Sequence, residues 1–365
     1  MEMKLGFVGL PNVGKTMIFN ALTGAGAESS NYPSSTMEVN LAAVPVPDTR
    51  LDRLAAMYSP KKVTHATANF VDIAGLAKGA SKGEGLGNRF LAPIREVDAI
   101  LHVIRCFEDA NVVHADSESH PMRDRDTINI ELCMADMEVV DKRIARAEKA
   151  AKGDRSLLRE AELFKSLKAH LDEGLAARSF PCSEEDQALI ADTPLLTNKP
   201  VLYCLNFSEE RFRELDSYKP YLELKKAAEE EGSAVFPICA QLEAEIIQME
   251  PEDRAAFLED LGMAQSGRDR LIQLSYDLMG LMSFLTAGAP EVRAWTIKKG
   301  TKAPAAAGKI HKDIQRGFIR AEVIAFDALT ECGSMAAAKE KGLVRLEGKE
   351  YVMKDGDVVL FRFNV

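Results

Sequence analysis

The sequence predicts an α/β chain: a parallel sheet, interrupted by an inserted helical hairpin and followed by a small α+β domain. Three observations carry this. A short apolar strand runs into the glycine loop Gly9-Leu10-Pro11-Asn12-Val13-Gly14-Lys15-Thr16 and on into a helix. Largely apolar runs at 68–71, 99–104, 201–205 and 234–238 read as buried strands of a parallel sheet. Between the second and third of these runs the apolar spacing turns helical.

The elements follow in order. Lys4-Leu5-Gly6-Phe7-Val8 is the first strand, and Met17-Ile18-Phe19-Asn20-Ala21-Leu22 a helix that stops near Gly24. The loop between them fits G-x-x-x-x-G-K-[ST], in which backbone N–H groups and a helix N-terminus surround a polyphosphate. Its expected nucleotide contacts are Asn12, Val13, Gly14, Lys15, Thr16 and Met17. Lys15 reaches the β and γ phosphates as a catalytic group, and the Thr16 hydroxyl holds Mg2+. Asp72-Ile73-Ala74-Gly75 follows the strand at 68–71. There Asp72 is placed to hold the metal through water, and the Gly75 N–H to meet the γ-phosphate as a second catalytic group.

The stretch Asn31 to Thr36 has little regular pattern. A threonine in such a loop completes magnesium coordination only when a γ-phosphate is present, and Thr36 is chosen over Ser34, Ser35 and Thr49. Glycines 75, 79, 83, 85 and 87 with Lys78 and Lys82 make a second glycine-rich segment. Leu76 stands where Ras-like GTPases carry the glutamine that orients water, so turnover by this chain alone is expected to be slow. Two residues are candidates to help: Asn12, by holding a monovalent cation such as K+, and His114, from an irregular stretch.

The strand at 201–205 ends in Asn206-Phe207-Ser208-Glu209, where guanine-reading enzymes carry Asn-Lys-x-Asp. Phe207 offers an aromatic contact in place of the lysine, and Glu209 is longer than the guanine-reading Asp. The pattern argues against strong guanine preference; spacing alone leaves adenine open.

Ile128, Leu132, Met137, Val140 and Ile144 share one helical stripe, and Leu157, Ala161, Phe164, Leu167 and Leu171 a second. Two antiparallel helices of roughly 25 to 35 Å fit, broken at Lys152-Gly153-Asp154, with a short capped helix near Ser183. Beyond Gly280, Val292–Ile297 and Val358–Phe363 read as strands, with Asp355-Gly356-Asp357 as the turn before the last. The expected divisions are 1–126 and 199–282 for the nucleotide domain, 127–198 for the helical insertion and 283–365 for the C-terminal domain.

The chain has 365 residues, 46% hydrophobic and 28% charged, an ordinary globular composition with room for two or three domains. No apolar stretch approaches the ~20 residues that span a bilayer, and no signal peptide is apparent. Six scattered cysteines without a C-x-x-C pair point to reduced thiols. A cytoplasmic protein without a membrane partner is expected. The net charge of −10 disfavours indiscriminate nucleic-acid binding. Residues 291–320 nevertheless carry +6, from Arg293, Lys298, Lys299, Lys302, Lys309, Lys312, Arg316 and Arg320 against Glu291 and Asp313. With Trp295 among them, this is a footprint for RNA phosphates.

The whole chain resembles one family, the YchF type of Obg-like ATPases within the TRAFAC class of P-loop NTPases. The residues that carry the resemblance are Gly6 to Asn20, Asn31 to Asn40, Asn69 to Leu76, Lys78 to Asn88, Arg105 to Asp109 and Asn206 to Glu209. Glu291 to Ile297, Gly317 to Val323 and Phe361 to Val365 extend it to the C-terminus. The resemblance implies a G domain, a coiled-coil insertion and a C-terminal TGS domain of ubiquitin-like β-grasp fold. It implies a Mg2+-dependent ATPase that prefers ATP to GTP, with Asn206, Phe207 and Phe107 at the base, Thr16 and Thr36 on magnesium and His114 aiding hydrolysis. It also implies a monomer that binds the ribosome, chiefly the large subunit, through the TGS domain and helical arm, with links to translation and stress responses. Two other readings stay open: a GTPase of ribosome assembly, and a ribosome-binding module in which nucleotide only sets conformation. The chain departs from the family in having Thr16-Met17 for Ser-Thr, Ser34-Ser35 before Thr36, and Cys239-Ala240 for a late Ser-Ala.

Overall fold

The computed structural model describes residues 3–24, 28–33, 38–73, 87–108, 120–153 and 158–364. The chain opens with β1 (Lys4–Val8), the glycine loop and α1 (Lys15–Thr23). β2 (Glu28–Pro33) and β3 (Glu38–Pro45) pair antiparallel. Next come α2 (Thr49–Tyr58), β4 (Val63–Thr64), β5 (Thr67–Asp72), α3 (Gly87–Glu96) and β6 (Ala99–Cys106). α4 (Pro121–Ala151), α5 (Leu158–Asp172) and α6 (Glu184–Ala191) form the helical region. β7 (Val201–Phe207), α7 (Glu209–Phe212), α8 (Lys219–Glu230) and β8 (Ala234–Ile238) follow, then α9 (Ala240–Gln248), α10 (Pro251–Asp260) and α11 (Gly267–Leu278). The C-terminal part holds β9 (Leu281–Ala287), β10 (Val292–Lys298), α12 (Ala303–Ile310), α13 (Lys312–Arg316) and β11 (Phe318–Ala325). It ends with α14 (Phe326–Cys332), α15 (Met335–Glu340), β12 (Arg345–Glu347) and β13 (Asp357–Phe363).

Two compact units result, Met1–Ala43 with Asn69–Arg268, and Val44–Ala68 with Asp269–Val365. Residues 44–68, grouped by sequence with the nucleotide domain, thus belong to the second unit, which resumes at Asp269.

The first unit is built on a sheet of order β2-β3-β5-β1-β6-β7-β8. Its strands β5, β1, β6, β7 and β8 run parallel, so the strands at 201–207 and 234–238 do complete the N-terminal sheet. Every residue of β6 and β7 is buried, as expected for parallel strands covered on both faces. Phe7 meets Phe19 and Phe70 edge-on at 5.5 and 6.0 Å, locking α1 and β5 to β1.

The helical arm is longer on one side than its apolar stripe suggested. α4 spans 31 residues, about 46 Å, because it begins at Pro121, where a missing N–H is harmless. α5 returns antiparallel: Lys165 meets Glu148 at 2.9 Å and Lys168 meets Asp141 at 2.6 Å. Between them Cys133, Val140, Phe164, Leu167 and Leu171 are buried. Leu157 and Asp154 lie outside the described residues. Asp136, fully buried on α4, accepts hydrogen bonds of 2.7 Å from the Leu196 N–H, the Thr197 N–H and the Thr197 hydroxyl. Three donors compensate a carboxylate that burial otherwise penalises.

Where the arm meets the sheet, Arg178 donates to the Tyr203 hydroxyl and to Glu231, both at 3.0 Å, and Arg125 approaches Glu231 at 3.6 Å. His102 lies under Tyr203, ring centroids 5.4 Å apart. Burial, with help from Arg125 and Arg178, pushes its imidazole down to about 3.

The second unit is a six-stranded sheet of order β12-β11-β13-β9-β10-β4. β9 pairs antiparallel with β10 and parallel with β13, and β11 pairs antiparallel with both β12 and β13. One face buries Phe284, Ile297, Val323 and Phe361 against Ala303, Ala306 and Ala307 of α12. α2 belongs to this unit. Its Leu51 and Leu54 are fully buried, and Arg50 pairs with Asp48 at 2.8 Å and Asp355 at 2.6 Å. β4 adds an edge beside β10. No helix among the described residues is long and apolar enough to cross a membrane.

The buried His102 sets a pH dependence. An unfolded imidazole protonates near pH 6.5, whereas His102 in the fold resists protonation down to about 3. Its stabilising contribution is therefore present above that unfolded value and is lost as pH falls. Between pH 7 and 5 the protein is expected to lose ~2 kcal/mol more unfolding free energy than a His102→Gln variant. Urea denaturation at both pH values measures this; equal losses would refute a neutral, buried His102.

Candidate functional site

The site gathers at the C-terminal ends of the parallel strands, where α/β sheets place ligands. β1 delivers the chain into the glycine loop. A Cβ on Gly9 would stand 2.6 Å from the Val103 carbonyl, so the loop passes the neighbouring strand only without a side chain. Asn12 and Gly14 take positive φ, 63° and 88°, which turns the loop back over the end of the sheet. α1 then starts at Lys15 with no side-chain cap and no acidic residue in its first turn. Its first N–H groups and positive dipole end are thereby available to an anion.

Lys15 is buried to 9% exposure and pairs directly with Asp72 at the end of β5. The two residues expected to serve one phosphate–metal site thus lie together, their charged atoms in contact. Thr16 lies next along the first turn, exposed. Its hydroxyl and the Asp72 carboxylate are hard oxygen donors, the type that Mg2+ prefers. Among the described residues no three His, Cys, Asp or Glu side chains form a metal cage. Met17 is 49% exposed on the same turn. Thr36, Gly75, Leu76 and His114 lie outside the described residues.

Asn206, at the end of β7, is 3% exposed and donates through Nδ2 to the Val13 carbonyl at 3.0 Å. Its Oδ1 accepts from the Ala240 N–H at 3.1 Å. The same residue leaves no space for a Cβ at Gly14, which would stand 2.2 Å from Nδ2. Asn206 thus fixes the phosphate loop to the start of α9. The Ala240 N–H is thereby engaged by Asn206.

Sequence spacing points Phe207 at the base. Its ring is instead 2% exposed and meets Tyr218 and Tyr221 edge-on at 5.9 and 6.1 Å, so here it packs the floor beneath two tyrosines. The more open aromatic is Phe107, which follows β6 and is half-buried. The Arg105 guanidinium lies 4.5 Å over its ring, and Arg105 Nε donates to the Phe107 carbonyl at 3.0 Å. Arg105 was not singled out by sequence reasoning. The signal was present, a cation 3% exposed inside the apolar strand Ala99–Cys106. Glu209 is turned to Arg213 at 2.7 Å on the exposed first turn of α7.

The basic segment of the second unit divides. Lys299 pairs with Asp277, Lys302 with Glu350, and Arg316 with Asp313. Arg293 lies 4.0 Å over Trp295, whose Nε1 donates to Thr286 at 2.9 Å. Lys298, Lys309, Lys312 and Arg320 are exposed, with no carboxylate in ion-pair range among the described residues.

Comparison with known proteins places these features. A family model described as "50S ribosome-binding GTPase" matches residues 4–136. The YchF-GTPase C-terminal model, described as a protein of unknown function, matches residues 281–364. The "Ribosome-binding ATPase YchF" of Bacillus subtilis is 50% identical, with all of both chains covered. The protein of that name from Escherichia coli O157:H7 is 46% identical over the same full extent. The solved YchF GTPase of Schizosaccharomyces pombe superposes with TM-score 0.86 at 34% identity, covering 99% of this chain and 98% of that one. On similarity spanning both units, the chain belongs to the YchF family.

Proposed function

We propose that the protein is a ribosome-binding ATPase, whose nucleotide site controls when it binds. The observation that carries the hydrolase reading is the contact of Lys15 with Asp72 at the mouth of the left-handed phosphate loop. It brings the phosphate-binding cation and the metal-side carboxylate to one point. Lys15 and the α1 N–H groups hold and orient the β and γ phosphates. Mg2+ would be held by Thr16, by Asp72 through water and by Thr36; when bound it neutralises charge on the phosphate oxygens. The Gly75 N–H supports the γ-phosphate, and His114, with K+ held near Asn12, assists hydrolysis.

The relatives' printed names differ on the base, ATPase in the curated bacterial proteins and GTPase in the yeast structure. The residues favour ATP. Asn206-Phe207-Ser208-Glu209 lacks the lysine and aspartate that read guanine, and the half-buried Phe107, backed by Arg105, offers a ring on which adenine packs. Ribosome contact is assigned to the helical arm and the C-terminal domain, chiefly on the large subunit. Lys298, Lys309 and Lys312 are the cations best placed for RNA, since among the described residues no carboxylate lies in ion-pair range of them. The remaining assignments are a monomer in the cytoplasm, with a G domain, a helical insertion and a TGS-type C-terminal domain.

Calorimetric titration of the full chain with ATP and with GTP, each in Mg2+, is expected to show ATP bound at least about tenfold tighter, ~1.4 kcal/mol. Equal or tighter GTP binding would overturn the ATPase reading. Phe107→Ala should raise KM for ATP by roughly tenfold at unchanged kcat, as expected for lost ground-state packing. A fall in kcat alone would remove Phe107 from the base. Hydrolysis by Lys15→Ala should drop about 100-fold or more, while His114→Ala should drop less and lose the difference between K+ and Na+ buffers. Identical rates for His114→Ala and wild type would dismiss His114, and identical wild-type rates in K+ and Na+ would dismiss the cation.

A further inference from the structure

The sheet of the second unit has two faces with different environments. α12 covers the face of Phe284, Val323 and Phe361. On the other face, Glu322 of β11 pairs with Leu346 of β12 on one side and with Leu360 of β13 on the other. Residues directly across antiparallel strands share a face, so these three form one row. Arg320 and Arg362, also paired, form the next row on that face. At one end of the face Ile324 and Val358 are buried at 1% and 2%. In the middle row Leu346 is 61% and Leu360 47% exposed.

The charges around these leucines are one-sided. Glu322 is already neutralised, accepting from Lys339 at 2.8 Å and Arg362 at 2.7 Å, and these two cations hold its carboxyl below the usual range. Arg320 is exposed, with no carboxylate in ion-pair range among the described residues. In register with the two bare leucines, or paired to their row, stand the cations Arg320, Arg362 and Lys339 and the carboxylate Glu322.

We propose that this face binds an acidic amphipathic helix of a protein partner. The two leucines lie two strand spacings apart, about 9.6 Å. Helix positions i and i+7 are separated by about 10.5 Å, so one apolar stripe laid across the strands covers both. The arginine row lies about 7 Å further along the strands, where the flank of such a helix carries its carboxylates. A strand added at β12 would cover Leu346 and leave Leu360 bare. RNA would satisfy the cations and leave both leucines in water. A two-fold pairing of this face with itself would oppose its own arginines. The face belongs to the second unit and the nucleotide site to the first, and the proposal stands whether ATP or GTP is the substrate.

The test uses the full chain and fluorescence anisotropy with three labelled probes. One is an 18-residue Glu/Leu/Ala peptide with leucines at i, i+3 and i+7; the second is its scramble without a stripe; the third is a 20-nucleotide oligo-U. The striped peptide should bind at least tenfold more tightly than the scramble and weaken several-fold from 50 to 300 mM NaCl. A double Leu346→Ser, Leu360→Ser variant should lose tenfold or more, and Arg362→Gln about threefold, with the serine variant's melting temperature and ATP hydrolysis unchanged. Equal binding of both peptides, or striped-peptide binding untouched by the serine substitutions, overturns the proposal. Oligo-U binding lost with the same leucines makes the face an RNA surface instead. A concentration-dependent mass that those substitutions abolish makes it a self-association surface.

Discussion

Asn206 is the side chain from which the functional edge of the first unit hangs. Its amide donates to the phosphate loop at Val13 and accepts from the first turn of α9, so two backbones separated by the whole helical arm in sequence share one rigid bridge. Being nearly fully buried, each bond is costly to leave unmade. The bridge also explains why Gly14 cannot carry a side chain. The loop's shape is thus held partly by strand β7, and Asn206 joins the end of that strand to the phosphate loop.

Further back, the sheet carries a denser set of charges than its apolar strands suggest. Two arginines converge on Glu231 under the arm, over a tyrosine hydroxyl and a neutral histidine. The arrangement is not fully satisfied: Arg125 Nε, Arg178 Nε and Glu231 Oε1 are buried without hydrogen-bond partners among the described residues. Buried ion pairs of this kind add little net stability, yet removing one member strands the others. Their effect here is geometric, fixing the direction in which α4 leaves the sheet.

Much of the fold was legible because it rests on local chemistry. The glycine loop announces its own backbone, parallel strands announce themselves as largely apolar runs, and the arm shows as two stripes. What was not legible depends on distant partners. α4 extends seven residues ahead of Ile128, the first residue of its stripe, since its opening turns bury Pro121 and the polar Asp124 and carry no apolar repeat. Spacing placed Phe207 at the right end of the right strand but could not reveal that Tyr218 and Tyr221 cover its ring. Arg105 was overlooked for the opposite reason, as its role appears only once Phe107 folds under it. The assignment of 44–68 had no local cue. Leu51 and Leu54 make an ordinary amphipathic helix, and nothing in their spacing names a sheet formed from residues far downstream.

That loan of residues 44–68 bears on synthesis. A chain folding from its N-terminus reaches this segment early, but Asp355 and the strands that receive α2 emerge last. Until then Leu51 and Leu54 have no sheet to cover them. The second unit therefore closes late, through contacts of very high sequence separation, the kind that slows folding most. A fragment cut at the start of β9 would look complete by its strand pattern, yet lack both the β4 edge and the helix that shields the sheet.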